Sequence, residues 1–345
     1  MILKFFSDKS YLPEKERYIV LLYPFWGLLP EPEGNKDAGR FDEYSRVGSK
    51  LFNLSPSLEK ADVAVLPFGW RAKDQWGTDY NRYSELAYKL AGEAKKHGKR
   101  IVISFNSDSD EAVPLDNSIV LRTSLYRTTR KHNEFAIPGW SVDFLSRYLG
   151  GKLQIRKKNH IPSVGYCGYV DYNPENKIKS LLLHSMKVIT GRSQTGARLR
   201  GLAVRTLMYD KRVNMNFIFR KGFSGNGNDS IRRDYVKNIV ESDYALVVRG
   251  GGNFSYRLYE VLSCGRIPVF VDTDCVLPFD HIIDWKKYCV WVDSKDIESI
   301  GDKIVAFHNN ITDGDFEGLQ RSIRRLYEEW ISPVGFHKNL WRCII

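Results

Sequence analysis

A chain of 345 residues with 43% hydrophobic and 13% aromatic side chains can bury one large core or two medium ones, which excludes disordered, collagenous and coiled-coil readings. Its 52 basic against 41 acidic side chains leave a net charge of +11. That charge suits a polyanion, an anionic membrane surface or phosphorylated small molecules, and its sign alone does not choose among them.

Near the start, the apolar run from Ile19 to Leu22, extended by Tyr23, Phe25 and Trp26, is far short of the roughly 20 residues that cross a bilayer. The opening residues Met1 to Phe6 are followed at once by Ser7, Asp8 and Lys9, which leaves no room for the apolar stretch of a secretory signal. A cytoplasmic protein is expected. Short β-branched or apolar runs alternate with longer segments of helical period, predicting α/β architecture with mainly parallel sheets. In chain order, strands are expected over 18–23, 62–67, 100–105 and 118–121, then over 163–167, 214–219, 244–248, 267–271 and 288–292. Helices are expected over 80–97, 174–189, 230–241, 254–264 and 294–307, with a last one over about 315–330.

Gly150 and Gly151, then Lys152, Arg156, Lys157 and Lys158, closed by Pro162 before a strand, mark the expected linker. Residues 1–155 and 156–345 then form two Rossmann-like, doubly wound domains facing a cleft, the default ligand site. The last helix has the option of packing back on the first domain. Five cysteines, odd in number and without a CxxC pair, and seven histidines without HExxH or HxxxH spacing, indicate neither a disulfide framework nor a metal site.

The most informative stretch is SDYALVVRGGGNFSYRLYEVLSCGRIPVFV, from Ser242 to Val271. An apolar strand runs into Arg249, then three glycines, then a helix whose apolar side is Phe254, Leu258, Val261 and Leu262. Such a turn lets backbone N–H groups and a helix N-terminus approach a phosphate, with no Cβ at Gly251 or Gly252 to block it. The spacing is neither GxGxxG nor GxxxxGK[ST], and a mobile glycine loop is an equal alternative. Arg257 in the first helical turn opposes the helix dipole at a cost of about 0.3–1 kcal/mol unless an anion is shared there. Glu260, three residues on, reads either as its intrahelical partner, worth about 0.2–0.5 kcal/mol, or as a carboxylate for sugar or ribose hydroxyls.

These residues, with LPFDHIIDWKKYCVWV from Leu277 to Val292 and weaker matches at Ala61–Phe68 and Tyr166-Cys167-Gly168, resemble the exostosin-type glycosyltransferases. The resemblance implies a GT-B fold and an inverting transfer from a nucleotide-diphosphate sugar, with uridine the usual nucleoside. It implies a donor held mainly by the second domain and an acceptor, a glycan or lipid-linked glycan, held by the first. Carried over, Arg249 contacts the diphosphate, Ser255 and Arg257 assist, and Glu260 holds the ribose. Gly168, Gly251, Gly252 and Tyr256 belong to the same donor set. The family's usual acidic residue within the glycine turn is replaced here by Gly250-Gly251-Gly252-Asn253.

Charge building on a departing diphosphate is stabilised by arginines and backbone donors without a metal, so no cofactor is expected. Two DxD pairs, Asp108/Asp110 and Asp272/Asp274, are the alternative, and the second reads chiefly as a turn. An inverting transfer needs a general base. Asp110, beyond the strand 100–105 at the cleft, is the first candidate, with Glu31, Glu33 and His132 as rivals. In Thr190-Gly191-Arg192-Ser193, Arg192 is a second candidate diphosphate ligand. Ser124 to Arg127 reads as a stretch facing the acceptor, and Trp70, Trp76, Tyr126 and Trp140 as candidate stacking surfaces. Without a helix-turn-helix, zinc-finger, RNP or KH signature, nucleic acid is not an expected partner, whereas peripheral contact with anionic lipid is. A catalytically inactive sugar-binding subunit of the same fold is the alternative function.

Overall fold

The computed structural model describes residues 2–170, 196–220 and 229–344. Two parallel sheets organise the chain. The first has six strands in the order β2-β1-β3-β4-β5-β6: β1 Leu3–Phe6, β2 Phe52–Leu54, β3 Val63–Val65, β4 Ile101–Phe105, β5 Ser118–Arg122 and β6 Glu134–Ala136. The second has five in the order β11-β10-β9-β7-β8: β7 Ser163–Gly168, β8 Asn214–Phe219, β9 Tyr244–Val247, β10 Ile267–Asp272 and β11 Val290–Asp293. Every pairing is parallel. The expected α/β class, two Rossmann-like sheets, is what the chain adopts.

The central strands of both sheets are continuous apolar runs because helices cover both faces. All residues of β5, β9 and β10 are buried. Counted from its own start, the first sheet carries the order 2-1-3-4-5-6 and the second the order 2-1-3-4-5. The strand sequence therefore changes direction between β1 and β3 in one sheet and between β7 and β9 in the other. Ligands of such sheets bind at the carboxyl ends of the strands flanking that point. In the second sheet these ends are Gly168 and the segment that leaves β9 through Arg249.

Two expectations shift. The apolar run 18–23 forms no strand: Val20–Leu22 is a 3₁₀ turn and Tyr23–Trp26 a helical turn with Pro24 in it. Proline supplies no N–H to a ladder but suits a helix start. The first strand is instead Leu3–Phe6, whose Leu3 and Phe5 are buried. The helix Phe144–Tyr148, on the first-domain side of the expected linker, packs on the second-domain helices Asp229–Val240 and Tyr256–Ser263. There Phe144 N–H donates to Ser263 Oγ at 3.3 Å, and Arg324 pairs with Asp143 at 2.6 Å. The expected helix 174–189 lies outside the described residues, and Gly196–Met208 is a helix not read from the sequence.

The C-terminal region bridges the two halves. Asp313–Leu326 packs on the second-domain helix Tyr256–Ser263, continues through the π turn Tyr327–Ile331, and leads to Pro333–Asn339, which packs on Asp42–Val47 of the first half. His337 stacks on Tyr44 with ring centroids 3.8 Å apart. Among the described residues no helix is long and apolar enough to cross a membrane.

Candidate active site

The buried strand β9 delivers Arg249 and the glycine turn to the carboxyl edge of the second sheet. The helix Tyr256–Ser263 then begins at Ser255, whose backbone is extended and whose side chain makes no capping bond. Gly251 and Gly252 do not have positive φ angles, so the turn itself does not demand them. Their neighbour does. A Cβ on Gly251 would meet Asp108 Oδ2 at 2.4 Å, and one on Gly252 would meet the Asp108 Cα at 2.7 Å. Asp108 belongs to the loop after β4, so the first domain presses on the turn from across the cleft. Tyr256, 46% exposed, lies against Gly139 of the first domain, where a Cβ would come within 3.1 Å of its ring.

Arg249 is buried, and its Nη1 donates to the Tyr126 hydroxyl at 2.8 Å. Its carbonyl accepts from Arg200 Nη1 at 3.2 Å. Asn253 ends the turn as a clasp between the halves: its N–H donates to Ser124 Oγ at 2.9 Å, its Nδ2 donates to the Leu125 carbonyl at 3.1 Å, and its Oδ1 accepts from Thr273 at 2.5 Å. Ser124 to Arg127 is therefore docked on the second domain, with Tyr126 bridging Cys275 in antiparallel fashion. The second DxD pair completes that joint. Asp272 accepts from Arg127 at 2.5 Å and from the Cys275 N–H at 3.0 Å, while Asp274, at φ +66, accepts from Thr128 at 2.6 Å.

Arg257 turns away from its helix dipole toward β7. Its Nη2 donates to the Cys167 carbonyl at 2.5 Å, and its guanidinium stands 4.6 Å and 4.8 Å from the ring centres of Tyr166 and Tyr235. It also explains Gly168, where a Cβ would lie 2.9 Å from Arg257 Nη2. Burial works against the guanidinium charge, but Tyr235, Tyr166 and Glu260 outweigh it and raise the pKa. Glu260 is not ion-paired with Arg257. It accepts instead from Arg232 at 3.0 Å, Tyr235 at 2.6 Å and Ser141 of the first half at 2.8 Å, and Arg232 also pairs with Asp37 at 2.9 Å. Burial pushes the Glu260 carboxyl up, yet these partners, Arg232 foremost, hold it below its usual value.

A family model described as the Exostosin GT47 domain matches residues 100–306, more than half of the chain. The chain belongs to the exostosin GT47 family. Exostosin-1 of Drosophila melanogaster is 41% identical over 64 residues, 19% of this chain and 8% of that protein. A probable glucuronosyltransferase 47 A of Physcomitrium patens is 36% identical over 76 residues, 22% of this chain and 17% of that protein. The matches thus span a small part of these relatives' own length. A crystal structure of Anabaena HepE in complex with UDP and glucose aligns over 99% of both chains at 10% identity, with a TM-score of 0.36 that is too low to inform the site.

The GT47 match takes in both walls of the cleft, Asp108 and Tyr126 on one side and the glycine turn on the other. Of the expected donor residues, Gly168, Arg249, Gly251, Gly252, Ser255, Tyr256, Arg257 and Glu260 converge on this corner, and Arg192 lies outside the described residues. Of the base candidates, Asp110 and Glu33 are exposed. Glu31 accepts from Asn35 at 2.8 Å and faces Arg40 at 3.5 Å. His132 is exposed at the amino end of β6, the opposite end of the sheet from the Asp108 loop. Trp70 and Trp76 are core residues, and Trp140 donates to the Ile331 carbonyl at 3.0 Å. Sequence reasoning missed Asp37, Ser141, Arg232 and Tyr235, because buried partners from separate elements carry no local spacing.

Proposed function

We propose that the chain is an inverting glycosyltransferase moving a sugar from a nucleotide-diphosphate donor, a UDP-sugar, to a glycan or lipid-linked glycan acceptor, with no metal required. The observation that carries this reading is the glycine turn at the direction change of the second sheet, flanked by Arg249 and Arg257 and closed by the first domain. The diphosphate lies on the turn and the helix start at Ser255, with Arg249 as its principal cation. Arginine forks and fixed N–H donors neutralise the charge that builds as the nucleoside diphosphate departs. Tyr256, exposed at the cleft, offers an aromatic face to the donor, while Glu260, its oxygens taken by Arg232, Tyr235 and Ser141, fixes the helix that carries Tyr256.

Titration calorimetry of UDP, GDP and CMP and their sugar conjugates, with and without EDTA, tests the reading. UDP binding that survives EDTA is the expected result. Arg249→Ala should weaken it at least tenfold, since a charge-assisted partner of this kind contributes about 1.5–3 kcal/mol. A folded Arg249→Ala protein with unchanged affinity, or a wild-type chain that binds no nucleotide, overturns the assignment. Binding lost in EDTA removes metal independence alone. Contact with anionic membrane rests on the +11 charge, and equal sedimentation with neutral and anionic vesicles at physiological salt would remove it.

A further inference from the structure

We propose that Asp108 is the general base that takes the proton from the attacking hydroxyl. This inference rests on the transfer reading above. The loop after β4 is tied down at alternate residues. Thr123 Oγ1 donates to the Ser107 carbonyl at 3.0 Å, and the Ser109 and Glu111 carbonyls each accept from Arg122 Nη2 at 3.1 Å. Arg122 is itself buried and locked to Glu134 at 2.6 Å. A loop anchored at 107, 109 and 111 presents the two intervening side chains, those of Asp108 and Asp110, from a fixed backbone, which is how a reacting group is held to within a fraction of an ångström.

The direction is set by the glycines. The carboxylate of Asp108 reaches Gly251 and its backbone abuts Gly252, so it stands over the turn assigned to the diphosphate, on the acceptor side of the cleft. An anomeric carbon bonded to a phosphate on this turn lies next to that carboxylate. Asp108 is exposed and accepts no hydrogen bond from the described residues, so its lone pairs are open to a hydroxyl. Asp110, two residues on, is exposed and no described glycine requires its approach.

In the step, a lone pair of the acceptor oxygen forms the new C–O bond at the anomeric carbon while its proton passes to an Asp108 oxygen. The bond from the anomeric carbon to the phosphate oxygen breaks, and its electron pair leaves with the nucleoside diphosphate. The Asp108 proton is then lost to water.

Donor breakdown with water or azide as nucleophile tests this without a known acceptor. UDP-glucuronic acid, UDP-glucose, UDP-xylose and UDP-galactose serve as probes, with UDP release as the readout. Asp108→Ala should slow release in water by about 10²–10⁴-fold and leave the UDP dissociation constant within twofold. Azide, an anion that needs no deprotonation, should restore release and give a glycosyl azide of inverted configuration. Asp110→Ala should behave as wild type. A wild-type rate in Asp108→Ala overturns the proposal, as does a slow variant that azide fails to rescue. A wild-type chain that binds UDP but releases none from any donor also overturns it, and one that binds no UDP removes the transfer reading with it.

Discussion

A methyl group at Gly252 would sit 2.7 Å from the Cα of Asp108 and 3.1 Å from its carbonyl oxygen, both backbone atoms. The tethered loop cannot yield without breaking its bonds to Arg122 and Thr123. Gly252→Ala should therefore destabilise the chain by about 1–3 kcal/mol in urea denaturation. Gly251→Ala meets only the carboxylate end of Asp108, and pairing it with Asp108→Ala should recover most of its smaller cost. Additive losses in that double-mutant cycle would show that the two residues do not touch in solution. From sequence, the glycines were legible as a close-approach turn, but what approaches was not. The neighbour lies more than 140 positions away in the chain, and no local spacing encodes it.

The helix Asp229–Val240 presents Arg232 and Tyr235, three residues apart on one face, to Glu260 of the helix Tyr256–Ser263. Arg232 also serves Asp37, so its removal would leave two buried carboxylates without their cation. Arg232→Met should cost about 3–5 kcal/mol in denaturant melts, with Arg249 and the UDP site left to separate assay. A loss below 1 kcal/mol would mean the carboxylates find other partners or protons. Glu260 was read from sequence as either the partner of Arg257 or a hydroxyl acceptor. The helix-surface rule that pairs i with i+3 was overridden by a packed neighbour, because a buried carboxylate takes the partners that surround it. Long apolar strands such as Ile267–Asp272 were legible from composition. The three-residue strands Phe52–Leu54 and Glu134–Ala136 were not, since so short a run shows no periodicity and forms only because a sheet edge is there to pair with.

Across the whole molecule the two halves are held by side chains as much as by the chain itself. Arg127–Asp272 and Arg130–Asp280 join them on one side, and the C-terminal helix Pro333–Asn339 joins them on the other. His337 at that second joint is buried between Tyr44 and Trp140, and its Nδ1–H donates to the Pro333 carbonyl at 2.6 Å. Burial lowers its pKa from the usual 6.5 to about 4. A depressed histidine binds its proton more readily unfolded than folded. Its contribution is thus complete above pH 6.5 and is lost as pH falls toward 4, by about 3 kcal/mol at the limit. His337→Phe should keep the stacking and flatten this part of the stability profile relative to wild type. Parallel profiles for the two proteins between pH 4 and 6.5 would rule out His337 as the acid-sensitive group.

What the sequence determined by itself were the features written in local order. These are the parallel α/β class, the strand, glycine turn and helix around Arg249, and the exostosin likeness of Ser242 to Val292. Apolar runs and glycine spacing act over a few residues, so they are visible in the chain alone. Only the tertiary structure decided that Asp108 rather than Asp110 faces the turn, that Ser124 to Arg127 is bound to the second domain, and that Arg232 rather than Arg257 pairs with Glu260. The same holds for the segment 144–148 joining the second domain and for the C-terminal helix returning to the first. Each of these contacts joins residues remote in sequence, and which partner wins depends on how two cores pack together, a competition settled by burial and geometry rather than by neighbours along the chain.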